Sequence, residues 1–263
     1  RGLKVNITEI DIPLAYGPAF EGERVRKDDI YLEMGGGRTQ ATELCKMADM
    51  NEIEDGKVIV KGPDIKDIEK GARLPLGILV QVAGRKMQTD FEPILERQIH
   101  HLINYAQGIM HIGQRDIAWI RVGEPAVQKG FTLRHLGVIL HAKLHQDFGN
   151  ILDKVQVTLY TEKPDVDKLT ERARAEYKLR DDRVEKMTDE TVETYYSCTL
   201  CQSFAPSHVC VISPERTGLC GAYNWMDCKA SNEINPTGPN QPVVKGEVID
   251  PKLGQWKGVN DFV

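Results

Sequence analysis

No stretch of this sequence approaches the roughly 20 consecutive apolar residues that a membrane-spanning helix needs; the longest, such as Gly77-Ile78-Leu79-Val80, are strand-sized. A basic excess is missing too. Lys and Arg number 34 against 39 Asp and Glu, a formal charge of −5, which argues against a surface that tracks nucleic-acid phosphates. The N-terminal residues lack the charged start and apolar core of a secretory signal, and no internal repeat or low-complexity run is visible. What remains is ordinary for a soluble globular protein, with 41% hydrophobic and 28% charged residues. A length of 263 residues suggests about two domains. The chain starts at Arg1 rather than Met and stops at Val263, so both ends read as cut from something longer.

Cysteine is scarce outside one short stretch. Cys45 stands alone, whereas Cys198, Cys201, Cys210, Cys220 and Cys228 fall within 31 residues. A secreted disulfide framework spreads its cysteines through a small chain. Crowding five of six into one place is the habit of a metal site in a reducing compartment, and it predicts a cytoplasmic protein.

The periodicities predict a mixed α+β, α/β fold with a βαβ-containing domain. Val5-Asn6-Ile7 and Ile10-Asp11-Ile12 alternate like strands, and Lys57-Val58-Ile59-Val60-Lys61 stops at Gly62-Pro63. Asp64 is placed to cap a short helix through Ile65 and Ile68, ended by Gly71. Ile78, Leu79, Val80 and Val82 make a buried strand. Asp90 is placed to cap a helix with Pro93 in its first turn and Ile94, Leu95, Ile99, Leu102, Ile103 and Ala106 on one face, closed by Gly108. Residues 117–122 alternate. Thr132 precedes a helix with Leu133, Leu136, Leu140, Leu144 and Phe148 on one face, and Val155, Val157 and Leu159 form a further strand. Strand, helix, strand, helix, strand at this spacing predicts parallel pairing. From Pro164 to Thr194 the chain becomes highly charged, which predicts a solvated helix capped at Asp165, broken near Thr188-Asp189. The segment after it is rich in Pro and Gly and is expected to hold little regular structure, so that a metal would have to fix it. The expected domains are 1–163, an α/β domain; 164–194, a helical linker; and 195–263, an irregular Cys-, Pro- and Gly-rich segment.

The four leading cysteines read Cys198-x2-Cys201-x8-Cys210-x9-Cys220. A Cys-x2-Cys pair turns two thiolates toward one metal, and two single cysteines on loops complete the four-thiolate set of a [4Fe–4S] cluster. Structural zinc sites usually bring two close pairs or a His pair. Here Cys210 and Cys220 are well separated, and His208 has no partner at zinc spacing. Spacing therefore favours iron–sulfur, with a stand-alone electron-transfer or scaffold protein, a zinc-stabilised binding module and buried free thiols as alternatives. Cys228 reads as a bystander to a full ligand set, and Cys45, within Glu43-Leu44-Cys45-Lys46-Met47, as a small buried hydrophobe.

Three segments carry a resemblance. Tyr196-Ser197-Cys198-Thr199-Leu200-Cys201-Gln202-Ser203-Phe204-Ala205-Pro206-Ser207-His208 is one, and Ser213-Pro214-Glu215-Arg216-Thr217-Gly218-Leu219-Cys220-Gly221 is the second. The third is Glu233-Ile234-Asn235-Pro236-Thr237-Gly238-Pro239-Asn240-Gln241. Together they closely resemble the cluster-binding segment of acetyl-CoA synthase, the partner of carbon monoxide dehydrogenase, and the preceding residues look like that family's middle domain. The resemblance implies an acyltransferase that assembles acetyl-CoA from CO, a methyl group delivered by a corrinoid iron–sulfur protein, and coenzyme A. It implies that Cys198, Cys201, Cys210 and Cys220 hold a [4Fe–4S] cubane and that Cys201 also bridges to the reacting nickel; Phe204, three residues past Cys201 on the same turn, reads as a wall of that nickel pocket or as a plain packing aromatic. The family holds a second nickel with a Cys-Gly-Cys. None occurs here, since Ala222 follows Cys220-Gly221, so this chain alone is expected to be inactive.

The same resemblance implies a coenzyme A contact in the middle domain, for which Arg115, Trp119 and Arg121 are the candidates. Guanidinium groups grip phosphates and an aromatic face suits adenine, although arginines on such faces are commonly solvated. Arg85, Lys86, Arg97 and Arg134 lie in neighbouring elements. Gly35-Gly36-Gly37-Arg38 lacks the Lys-Ser or Lys-Thr of a phosphate loop and reads as a plain loop. His141 and His145, at i and i+4 without the Glu of a zinc protease, read as a surface or packing pair.

Overall fold

The computed structural model describes residues 27–35, 39–103, 109–111, 119–203 and 205–259. The chain divides into two compact units, Arg1–Arg174 and Ala175–Val263. The strand-like stretches before residue 13 and the Gly36-Gly37-Arg38 loop lie outside the described residues.

The first unit carries two four-stranded mixed sheets. In one, β5 (Leu76–Ala83) is central and almost wholly buried, as its unbroken apolar run requires. It pairs parallel with β2 (Ala41–Met47) and antiparallel with β8 (Lys154–Tyr160), and β8 pairs parallel with β3 (Val58–Lys61). In the other, β1 (Ile30–Gly35) lies between β4 (Ala72–Leu74), parallel, and β7 (Trp119–Gly123), antiparallel, with β6 (Ile109–His111) beyond β7. The fold class is mixed α+β as expected, but the expected parallel relay is corrected. β7 belongs to the second sheet, and β5 and β8 run antiparallel. Parallel pairs arise instead between strands separated by other strands.

Helix α1 (Glu92–Ile103) covers the edge of β2. Glu92 Oε1 accepts the Met47 N–H and Glu96 Oε2 the Cys45 N–H, both at 2.9 Å. Carboxylates four apart on the helix thus meet N–H groups two apart on the strand, which closes an edge that would otherwise template further pairing. Cys45 is buried as expected. Asp90 falls within a 3₁₀ turn, Thr89–Phe91, so it precedes rather than caps the α-helix. A short helix, α2 (Glu124–Gln128), follows β7.

Helix α3 (Leu133–Phe148) packs on β8 and β3, and the five apolar residues that predicted it are all buried. Its start is fixed twice. The Thr132 N–H donates to His135 Nδ1 at 2.9 Å, and Asp64 Oδ1 accepts the Leu133 N–H at 2.8 Å. Asp64 also caps the 3₁₀ turn Ile65–Asp67, which ends at Ile68 rather than Gly71. Helix α4 (Lys163–Glu185) buries Val166, Leu169 and Ala173. Asp165 lies inside its first turn rather than at its cap, and the division between the units falls within this helix.

In the second unit β9 (Thr194–Cys198) is flanked antiparallel by β10 (Cys210–Ile212) and β11 (Pro242–Val244). Alternate residues of β9 feed two small cores. Tyr195 joins Val192, Val243 and Val259, and Tyr196 and Cys198 join Ile212 and Cys228. Helix α5 (Trp225–Ile234) starts at Asn224, whose side chain accepts the Asp227 N–H at 2.9 Å. A small hairpin, β12 (Val248–Asp250) with β13 (Gln255–Trp256), follows. The unit therefore has more regular structure, and more core, than its Pro and Gly content predicts. Among the described residues no helix is long and apolar enough to cross a membrane.

Candidate metal centre

None of the six cysteines is in a disulfide. Cys198, the last residue of β9, is directly opposite Cys210, the first of β10. Residues so paired project to the same face with Cβ atoms about 4.5–5.5 Å apart, so the register brings together two thiols that the sequence separates by eleven residues. Cys201 lies just beyond, in the 3₁₀ turn Leu200–Ser203, and its carbonyl accepts the Ala205 N–H at 2.8 Å. Cys220 arrives on a turn in which Gly218 donates to the Tyr223 carbonyl at 2.8 Å. Gly221 there adopts a left-handed φ of 65°, and the Ala222 N–H points to Cys220 Sγ at 3.4 Å.

The Pro-rich stretch 236–242 is a bracket for this strand end. The Gln241 carbonyl accepts the Ser197 N–H at 2.8 Å, and the Pro239 carbonyl accepts the Thr199 N–H at 3.1 Å. Asn240, fully buried, donates through Nδ2 to the Ser197 carbonyl at 3.1 Å and to Cys228 Sγ at 3.3 Å. Cys228 is thus a buried thiol in α5 that accepts from Asn240.

Burial pushes the Cys198 thiol up, and the neighbouring sulfurs of Cys210 and Cys220 push it further, against the pull of the Leu200 N–H and the Asn240 side chain. Crowded thiols resist ionisation unless a cation joins them. Cys198 and Cys210 share a register position, Cys201 follows in the next turn, and Cys220 is near enough to raise the Cys198 thiol; N–H groups are aimed at Cys198 and Cys220, but among the described residues no three of these sulfurs lie within 4.8 Å of one another. Sequence spacing leaves His208 without a role. Its Nε2 lies 3.2 Å from Cys210 Sγ, a contact no zinc-type spacing would reveal, and it follows Ser207, which holds a left-handed φ of 69°.

The middle-domain candidates are less gathered. Arg121 on β7 is registered opposite Glu33 on β1 and pairs with it at 3.0 Å, while Arg73 on β4 reaches the same carboxylate at 3.3 Å. Arg115, the side chain of Trp119, and Phe204 lie outside the described residues.

Two family models account for most of the chain. The model of the CO dehydrogenase/acetyl-CoA synthase complex beta subunit matches residues 12–166, and that of the C-terminal domain of the ACS/CODH beta subunit matches residues 177–263. The carbon monoxide dehydrogenase/acetyl-CoA synthase subunit alpha of Moorella thermoacetica is 56% identical over 263 residues, covering 100% of this chain and 36% of that protein. The acetyl-CoA decarbonylase/synthase complex subunit beta of Methanopyrus kandleri is 46% identical over 253 residues, covering 96% and 54%. The subunit beta 1 of Methanocaldococcus jannaschii is 42% identical over 263 residues, covering 100% and 35%. The chain thus spans between about a third and just over half the length of these relatives. With a sulfur-rich strand end in the second unit and matches along nearly its whole length, this chain belongs to the CO dehydrogenase/acetyl-CoA synthase complex beta-subunit family.

Proposed function

We propose that the chain is the cluster-holding portion of an acetyl-CoA synthase, in which Cys198, Cys201, Cys210 and Cys220 bind a [4Fe–4S] cluster and Cys201 also bridges to nickel. The observation that carries this reading is the placing of Cys198 opposite Cys210 across β9 and β10, inside the unit that matches the family's C-terminal domain. When bound, the nickel–iron–sulfur centre supplies the place where CO and a methyl group are joined before coenzyme A takes the acetyl product. The chain's own residues hold and insulate that place. The β9–β10 register sets two thiolates, the 3₁₀ turn offers Cys201 at the half-buried edge, and the Leu200 and Ala222 N–H groups stabilise charge on sulfur. His208 steers the orientation of Cys210 through its Nε2. Phe204 is proposed as a wall of the nickel pocket. The protein works in the cytoplasm with a carbon monoxide dehydrogenase subunit and a corrinoid iron–sulfur protein. Domain roles follow as 1–163 for coenzyme A contact, 164–194 as linker and 195–263 for the cluster.

Arg115, Trp119 and Arg121 are proposed to receive coenzyme A. Two guanidiniums share the one Glu33 carboxylate, and a guanidinium is the group that grips phosphate in a fork.

Anaerobic reconstitution with iron and sulfide tests the centre. Four irons and four sulfides per chain are expected, and Cys201→Ala should lose both the cluster and nickel capture. One zinc per chain with no sulfide would overturn the cluster assignment.

A further inference from the structure

His141 and His145 lie one turn apart on α3 with ring centroids 4.6 Å apart. Both present Nε2 to a single atom, Asp55 Oδ1, at 2.9 and 2.7 Å, and the same oxygen accepts the Val155 N–H at 2.9 Å. Among the described residues, this is the group in which three metal-ligating atoms from three side chains lie within 4.8 Å of one another. Asp55 belongs to the turn between β2 and β3, separated by 86 and 90 residues from the two histidines. The first unit therefore holds two imidazoles and a carboxylate converging from distant parts of the chain, apart from the cysteine centre.

We propose that Asp55, His141 and His145 form a mononuclear site for a divalent transition metal of the zinc class, with its fourth position open to water. Two histidine nitrogens and one carboxylate oxygen are a zinc donor set, and three protein ligands leave one coordination position for solvent. Metal–ligand bonds of about 2.0–2.2 Å set tetrahedral edges of about 3.3–3.5 Å. The present separations of 2.7 and 2.9 Å therefore open by about half an ångström on binding. Asp55 can make that movement because its side chain is 44% exposed, whereas the His145 side chain, at 6%, is held.

Without a metal the ionised carboxylate only accepts, so each ring carries its proton on Nε2 and three donors crowd one oxygen. On binding, the proton on each Nε2 passes through water to Nδ1, and the freed Nε2 lone pairs face the cation. Gly56, beside Asp55 with a φ of +75°, leaves room on the remaining side: a Cβ there would sit 3.7 Å from His141 Nε2. A metal so held clamps α3 to the β2–β3 turn, and through the Val155 N–H to β8.

The cysteines also bind zinc, so the test must locate the metal. Crystals of the full chain soaked in zinc chloride should give an anomalous difference peak at the zinc edge bonded to both Nε2 atoms and the Asp55 carboxylate. A map with zinc at the cysteines alone, or with no peak, would overturn the site. In solution, dialysis against a zinc-buffering chelator should show one zinc fewer per chain for His145→Gln and Asp55→Asn than for the unaltered protein; equal counts would likewise refute it. At zinc a hundredfold above Kd the melting temperature should rise by about 5–10 °C. That rise should persist in Cys210→Ser and vanish in His145→Gln. A rise that vanishes in Cys210→Ser instead would assign the effect to the thiols. If the histidine variant fails to fold, the map of the unaltered protein still decides.

Discussion

Replacing Arg121 by Ala removes one of two cations from a carboxylate that the sheet has buried. Glu33, in the middle strand β1, is only 7% exposed, with Arg121 at 3.0 Å on one side and Arg73 at 3.3 Å on the other. Breaking a buried ion pair by deleting one partner costs about 3–5 kcal/mol. Here Arg73 stays, but its side chain is half exposed against 23% for Arg121, so it offsets the loss only in part. The expected cost is about 1.5–3 kcal/mol, or roughly 4–10 °C in melting temperature for a chain of this size. Urea unfolding followed by far-ultraviolet circular dichroism measures it. Adding Glu33→Gln should recover at least about 1 kcal/mol, since the uncompensated charge is then gone. The same variants separate the two roles of Arg121 when coenzyme A binding is measured by calorimetry. If Arg121 grips phosphate, Arg121→Ala weakens binding, while Glu33→Gln alone preserves or strengthens it by removing a competing carboxylate. Stability within about 0.5 kcal/mol of the parent, the range for surface changes, would refute the buried-pair reasoning. Unchanged coenzyme A affinity in both variants would retire the phosphate role.

Two further outcomes are expected. Gly137→Ala in α3 would normally stabilise a helix by about 1 kcal/mol, but the new methyl would sit 2.4 Å from Val58 Cγ1 and 2.9 Å from Cγ2. Overpacking costs about 1–3 kcal/mol, so a net loss is expected in urea unfolding, turning into a gain in a Val58→Ala background; a gain in the unaltered protein would sink the packing argument. With chelator present, stability should fall in two acid steps. Burial holds His141 below its ordinary 6.5 despite the pull of Asp55, so the unfolded chain takes up that proton first and stability drops as pH falls through about 6.5, levelling once the folded imidazole titrates. Burial pushes Asp55 up, but the Val155 N–H and both histidines outweigh it and hold the carboxyl below 3.8. Its contribution is therefore present above 3.8 and lost as pH falls through the lower folded value. Denaturation midpoints measured against pH check both steps, and an Asp55→Asn variant that keeps the lower one would refute its assignment.

What the sequence discloses follows from how local each cause is. Helix α3 is legible because Leu133, Leu136, Leu140, Leu144 and Phe148 keep one face within a single element, and all five are buried. The run of β5 is legible for the same reason. Strand pairing is not local: nothing between residues 76 and 160 states that β7 leaves for the other sheet or that β5 meets β8 antiparallel. Helix α5 is hidden because its buried face is Cys228, Ala230 and Ile234 beside Asp227, too weakly apolar to stand out amid glycine and proline. The His141–His145 pair is visible as a spacing, but Asp55, which gives it chemical meaning, is supplied by a turn 86 residues away.

The cysteine centre shows both sides of this rule at once. Its candidate ligands are legible because thiols are rare in this chain and clustered, and chemistry restricts what a cluster of thiols can do. Its scaffold is not, and the expectation that a metal alone orders the segment does not hold. β9 is hydrogen-bonded along both edges, to β10 and β11, and the backbone carbonyls of Pro239 and Gln241 fasten its cysteine end. Cys198 itself belongs to an apolar cluster with Tyr196, Ile212 and Cys228. As a proposed ligand that is also core, Cys198 would tie a metal to the packing: the strand end is already placed, so the cost of ordering on binding would fall mainly on the turns that carry Cys201 and Cys220. On the proposed assignment, those turns rather than the sheet are where binding and folding would be coupled.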